Sequence, residues 1–284
     1  MAAQAWGVAA FNAELLGVSA LAGAFGALFG LGGGILIVPV LTLGLGIDLR
    51  HAIGASLISV VASSSGAAVG SLRDRLTNVR LAVLLECATT LGALGGALLA
   101  GRVPSRALFV AFALVLILSA GSMARSHGAG VNPAPDSDGW SRRLRLAGTY
   151  RDAALGREVA YQVRGVPWGM GLMALAGVFS GMLGIGSGAL KVPAMDRVMR
   201  VPLKVSSATS SFMIGVTAAG SALVWWSRGE IVPLLAAPVA LGVLAGSAAG
   251  ARLLPRLDGG LLRYLYCLVL VALSLEMLLR GLAT

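Results

Sequence analysis

The chain holds 284 residues, 57% apolar and only 12% charged, with a net charge of +10 and a mean hydropathy of +0.87. Charged residues make up about a quarter of a soluble domain, so water is not the main solvent of this protein. Its basic residues are scattered among loops rather than gathered in a stripe with aromatics, which argues against nucleic acid as a partner.

In chain order, apolar stretches fall near residues 13–29, 52–71, 79–100, 105–124, 167–183, 205–227, 231–251 and 261–281. Each is close to the roughly 20 residues a helix needs to cross hydrocarbon. Two more, 35–46 and 189–199, are well short of it. A dozen helical residues rise about 18 Å against a hydrocarbon core of about 30 Å. Each short element is therefore expected to fold back on the helix before it as a re-entrant hairpin. The first 30 residues carry no Lys or Arg ahead of an apolar run, so a cleavable signal peptide is not expected and the amino terminus reads as part of the mature protein. Cys87 and Cys267 lie inside apolar segments without metal or redox spacing, and read as small buried hydrophobes. Trp6, Trp168, Trp225 and Trp226 fall near the expected interfaces, where they read as belt anchors.

The chain is doubled. Residues 23–39, GAFGALFGLGGGILIVP, return 154 positions later as GVFSGMLGIGSGALKVP (177–193), identical at eight of seventeen positions. The match runs on in step through Leu49/Leu203, Ser56/Ser210 and Gly66/Gly220; beyond that, LGALGG (91–96) finds its likeness in LGVLAG (241–246), four residues out of step. Placing the polar stretch 125–164, with its seven arginines, in the cytoplasm and alternating from there puts sixteen basic residues inside. Arg50, Arg102, Arg106, Arg228 and Arg280 fall outside, and Lys191 alone lies in an apolar segment. That is the positive-inside distribution, and it puts both termini outside the cytoplasm. With five hydrophobic elements per half, an odd number, the second half enters the membrane upside down. The expected organisation is a first transmembrane repeat (1–125), a cytoplasmic loop (126–166) and a second, inverted transmembrane repeat (167–284). Within the loop, 126–139 has linker composition, and 144–165 alternates polar and apolar residues on either side of Ala-Leu-Gly, the pattern of a small β-hairpin.

Lipid satisfies no bare peptide group, so the non-helical backbone at Gly30-Leu31-Gly32-Gly33-Gly34 and Gly184-Ile185-Gly186-Ser187-Gly188 has to be buried in protein or line a wet cavity. A short helix starts after each run, so its free amides and positive dipole end favour an anion. Inverted symmetry aims the two starts at each other near the midplane, the usual place of a carrier's substrate site. The candidate anion ligands are the amides of Gly32, Gly33, Gly34, Gly186, Ser187 and Gly188. Lys191 adds an ionisable group at membrane depth, a mark of function by default; its alternative use is an ion pair with Glu86, the lone carboxylate in the middle of an apolar segment and a candidate for proton coupling. Of the hydroxyls clustered after each short helix, Ser56 and Ser210 occupy equivalent positions and suit an oxyanion, whereas most of their neighbours read as packing elements. Gly92, Gly96, Gly246 and Gly250 read as close helix contacts. Walker A, nucleophile-elbow and His-rich metal patterns do not occur, and no cofactor or metal is expected.

At these Gly-Pro repeats the chain resembles the TauE/SafE family of sulfite and organosulfonate exporters. The residues that carry the resemblance are Gly30-Leu31-Gly32-Gly33-Gly34 with Leu36, Val38 and Pro39, then Gly177, Ser180-Gly181, Gly184-Ile185-Gly186-Ser187-Gly188 and Val192-Pro193, and the LGREV stretch of the central loop (155–159). The resemblance implies a multi-span carrier of small sulfur-containing anions such as sulfite, sulfoacetate or related sulfonates, usually an exporter. Ser187 stands where a third glycine is common in that family, and Lys191 replaces the usual apolar residue; both bear on the choice of anion. The expectation is thus an all-α integral protein of the bacterial inner membrane, built of inverted repeats with Gly-rich re-entrant hairpins. It moves a small oxyanion by alternating access, with the anion and the bilayer as its partners. An anion channel, or a carrier of another small carboxylate or oxyanion, is the competing reading.

Overall fold

The structure is a computed structural model that describes residues 2–28, 34–73, 76–125, 139–152, 157–253 and 259–283. Each apolar stretch is helical, as it must be where no water satisfies the backbone. The first half forms α1 (Ala2–Leu28), the short α2 (Gly34–Pro39) running into a π-helical turn (Val40–Gly44), α3 (Leu49–Arg73), α4 (Val79–Ala100) and α5 (Ser105–Arg125). A polar insert of α6 (Gly139–Arg143), β1 (Gly148–Asp152) and β2 (Arg157–Tyr161) precedes the second half. That half comprises α7 (Val166–Leu183), the short α8 (Gly188–Pro193) with its own π-helical turn (Ala194–Val198), α9 (Leu203–Ser227), α10 (Pro233–Leu253) and α11 (Gly259–Ala283). Among the described residues, four helical segments are both long and apolar enough to cross a bilayer: Val79–Ala100, Val166–Leu183, Leu203–Ser227 and Pro233–Gly250. The all-α membrane architecture expected from composition is what the chain adopts.

From the short helices onward, element starts keep one spacing of 154: Gly34 and Gly188, Leu49 and Leu203, Val79 and Pro233, Ser105 and Gly259. The four-residue slip suggested by LGALGG and LGVLAG is therefore wrong. Gly92 packs on Ala174 and Gly96 on Val178, while Gly246 packs on Ala20 and Gly250 on Ala24. Contacts thus pair Gly92 with Gly246 and Gly96 with Gly250, each 154 apart. Helix α10 carries a third glycine one turn earlier, Gly242, and string matching locks onto that wrong turn.

These glycines remove the side chains that would keep α4 from α7 and α1 from α10, the small-residue packing that drives helix association in lipid. In both seams residue numbers rise together, so each pair runs parallel. Helix α5 runs antiparallel to α11, since Phe109 lies by Gly281 and Ala120 by Cys267. Helix α3 runs antiparallel to α9, with Gly54 beside Glu230 and Ser64 beside Gly215. Exchange of the two halves maps this set of pairings onto itself.

The bundle has two distinct ends. At one, β1 and β2 pair antiparallel, Gly148 opposite Tyr161 and Asp152 opposite Arg157. Asn78 fastens this hairpin to the bundle: its side chain accepts from Leu81 N at the start of α4 and donates to Leu146 O (2.8 Å) and Tyr161 Oη (3.0 Å). Burial raises the Tyr161 phenol above its usual range, against a smaller lowering by the Asn78 bond. A core cluster including Leu81, Leu85, Tyr150, Tyr161, Val163, Met173, Met199 and Val205 lies under it. At the opposite end, arginines cap helix carboxyl ends, where cations complement the dipole: Arg228 donates to Ala97 O and Leu98 O, Arg50 to Ala100 O and Val103 O, and Arg280 to Thr42 O.

Two side-chain expectations need correction. Trp225 is no belt anchor, because it is fully buried and donates from Nε1 to Gly181 O at 2.8 Å; Trp168 and Trp226 do face outward, 78% and 58% exposed. Cys87 is exposed on the bundle surface and Cys267 half-buried, since helix rotation, which composition does not report, turns Cys87 away from α7 and α9.

Candidate functional site

The second short helix, α8, follows a break in the helical chain. Of the first run, Gly34 is described and Gly32 and Gly33 lie outside the described residues. In the second, Gly184 (φ +68°), Gly186 (φ +72°) and Ser187 (φ +57°) take left-handed conformations. Glycine is required at 184, because a Cβ there would lie 2.9 Å from Ile53 O as well as in the left-handed region. Helix α8 and its π-helical turn then carry the chain back to the end from which α7 set out, where Arg164 N donates to Met199 O at 3.0 Å. Pro193, like Pro39, lacks the N–H that would continue an α-helical ladder, and in each half the π-helical turn begins at the next residue.

The start of α2 meets the break before α8. The Ser56 hydroxyl, fully buried, lies 2.8 Å from Gly184 O and 3.2 Å from Gly34 O, joining the two. Val60 and Ile214, themselves 154 apart and near the centres of α3 and α9, both face Gly186, so the junction lies halfway along the two central helices. Ser210, the equivalent of Ser56, is fully buried, yet its hydroxyl has no partner among the described residues; Ser180 Oγ on α7 is in the same state. Leaving such a group unpaired carries a desolvation cost of about 1–3 kcal/mol. Ser187 lends its carbonyl to Leu190 N and Lys191 N, while its own hydroxyl turns to Gly186 O. Among the described residues, the amides of Gly186, Ser187 and Gly188 make no backbone hydrogen bond.

Lys191 is fully buried, and its ammonium lies 3.2 Å from Glu86 Oε2 on α4 and 2.7 Å from Thr217 Oγ1 on α9. Thr217 donates to Glu86 Oε1 at 2.5 Å, and Thr90 donates to the same oxygen at 2.9 Å. The ion pair foreseen for Lys191 thus forms, and it stands one helical turn past Gly188. Thr217 and Thr90 were not anticipated. Thr217 lies among ordinary packing hydroxyls of α9, and only the approach of α4 and α8 selects it.

Buried amides, hydroxyls and one ammonium thus lie together around the break before α8, inside a bundle with helices long and apolar enough to cross a bilayer. The chain belongs to the TauE/SafE sulfite exporter family, whose model, "Sulfite exporter TauE/SafE", matches residues 15–277. The probable membrane transporter protein YunE of Bacillus subtilis (strain 168) is 25% identical over 269 residues, 92% of this chain and 95% of YunE. The probable membrane transporter protein MamO of Paramagnetospirillum magneticum (strain ATCC 700264 / AMB-1) is 33% identical over 110 residues, 36% of this chain but 17% of MamO. No solved structure matches the chain.

Proposed function

We propose that this integral membrane protein exports a small sulfur oxyanion, sulfite or an organosulfonate, across the bacterial plasma membrane by alternating access. The observation that carries this reading is the junction, through Ser56, of the start of α2 with the break before α8. There a solute meets backbone from both halves at once, and a rocking of the halves transfers it from one side to the other. The anion would be held by the amides of Gly32, Gly33 and Gly34 and of Gly186, Ser187 and Gly188. Ser56, the unpartnered hydroxyl of Ser210 and Lys191 would assist. The antiparallel course of α3 against α9 and of α5 against α11 supports inverted repeats, since each of these helices runs against its own equivalent. The hairpin end, with most of the arginines, would face the cytoplasm, leaving both termini outside.

A thermal-shift screen of the purified protein tests this reading, with sulfite, sulfate, thiosulfate, sulfonates and carboxylates as ligands. A ligand that binds only the native state raises its apparent stability, and a sulfur oxyanion should raise it most. Flux into proteoliposomes should saturate with the same anion and fall in Lys191→Met. Unsaturable ohmic current, or a response to carboxylates alone, would overturn the assignment.

A further inference from the structure

The two halves repeat one design, so the positions that break the repeat single out what the fold does not need. Under the 154 spacing, Lys191 corresponds to Ile37, Glu86 to Ala240 and Thr217 to Ser63. Ile37 is fully buried at the matching place in α2, so the same short helix packs stably with an aliphatic residue there. A buried ion pair sheds more hydration than its attraction commonly returns, and apolar replacements are often as stable or more so. Lys191 and Glu86 nevertheless form a charge pair where the corresponding positions, Ile37 and Ala240, carry no charge, and the pair is tied by two hydroxyls across three helices.

Charge balance limits what this site can do. With Lys191 cationic and Glu86 anionic the site is neutral, and Lys191, Thr217 and Thr90 all stand within hydrogen-bond distance of the Glu86 carboxylate. An anion drawn to the Lys191 ammonium leaves the enclosed site with an uncompensated negative charge, which a low-dielectric interior strongly disfavours. A proton on Glu86 removes that charge. It also loosens Glu86's hold on the ammonium, so the ammonium can turn a donor toward the break one turn away. Glu86 keeps 13% of its side chain accessible and Lys191 none, so Glu86 is the less enclosed member of the pair. No competing titratable group faces it among the described residues: α7 carries none, the basic residue of α9 is Lys204 at its far end, and Cys87 points outward.

We infer that Glu86 and Lys191 form a coupled site in which Lys191 takes the anion only as Glu86 takes a proton, so that the two are carried together. This rests on the reading of the chain as a carrier of a small anion, and it names the coupling ion of that same site.

The test uses the full chain in nanodiscs with sulfate and methanesulfonate, neither of which titrates between about pH 5 and 9. Calorimetry in buffers of different ionisation heat counts the protons exchanged on binding. The wild type should take up about one proton per anion, and its affinity should fall toward high pH by about tenfold per unit. Glu86→Gln, which mimics the protonated carboxyl, should bind more tightly than the wild type at pH 8, with no proton uptake and a flat pH profile. Anion binding by the wild type without proton uptake overturns the coupling and leaves the carrier intact. Binding of neither anion, nor of sulfite, at any pH overturns both. The proton count needs no variant, so a poorly folding Glu86→Gln does not rescue the inference; in that case Glu86→Ala with Lys191→Ile, which copies the first half, should fold and lose the anion.

Discussion

Gly95 and Gly96 are neighbours on α4 with opposite tasks. A Cβ on Gly95 meets nothing within 4 Å, whereas one on Gly96 would lie 2.7 Å from the carbonyl carbon of Val178, 2.8 Å from its Cα, and closer still to its oxygen. Ordinary van der Waals contact begins near 3.5 Å, so Gly96→Ala must part α4 from α7 by a large fraction of an ångström. The obstacle is backbone, which has no rotamer to swing aside, and the strain is shared with Gly92, Gly177 and Gly181 along the same seam. Both substitutions gain up to about 1 kcal/mol from helix propensity. Overpacking costs Gly96→Ala about 1–3 kcal/mol, and loosening of the seam adds to it. Gly95→Ala should therefore be neutral or stabilising, and Gly96→Ala destabilising, in detergent unfolding followed by tryptophan fluorescence. The first half's partner seam offers a replicate, Gly17→Ala against Gly246→Ala, because Gly17 is also open while Gly246 abuts Ala20. Equal effects at the open and the closed glycine would refute the packing argument.

The buried hydroxyls should separate in the same way. Ser56→Ala strips a hydrogen bond from two buried carbonyls and should cost about 1–3 kcal/mol of stability, whereas Ser210→Ala removes a hydroxyl with no partner and should leave stability equal or higher while reducing the thermal shift produced by the bound anion. Lys191→Ile alone strands Glu86 and should cost about 3–5 kcal/mol, yet adding Glu86→Ala should recover most of that loss; a double variant as unstable as the single one would show that the pair is structural after all. Tyr161 gives a pH signature. Its phenol titrates higher in the folded chain than unfolded, so its contribution is complete below about pH 10 and fades as pH rises through the folded value. The melting temperature should therefore drop less steeply above that pH in Tyr161→Phe than in the wild type, and parallel profiles would reject the docking role of Tyr161.

Residue order alone determined that this chain lives in lipid, that it is doubled, that each half is broken by Gly and closed by Pro, and that Lys191 is out of place. Hydropathy, spacing and the 154-residue echo are local or periodic properties, legible wherever the chain is read. The register of α4 against α10 was misread because a ladder of glycines looks the same one turn along; only the facing carbonyls of Ala174 and Ala20 decide which glycine matches which. Likewise Ser56 and Ser210 occupy one position in the repeat, yet one hydroxyl bridges Gly34 and Gly184 and the other has no partner among the described residues. Glu86 and Lys191 stand 105 residues apart, and Thr217 enters between them from a third helix. Which side chains meet depends on how each helix is rotated and how deep it sits, quantities set by the packing of the whole bundle and written into no short stretch of it.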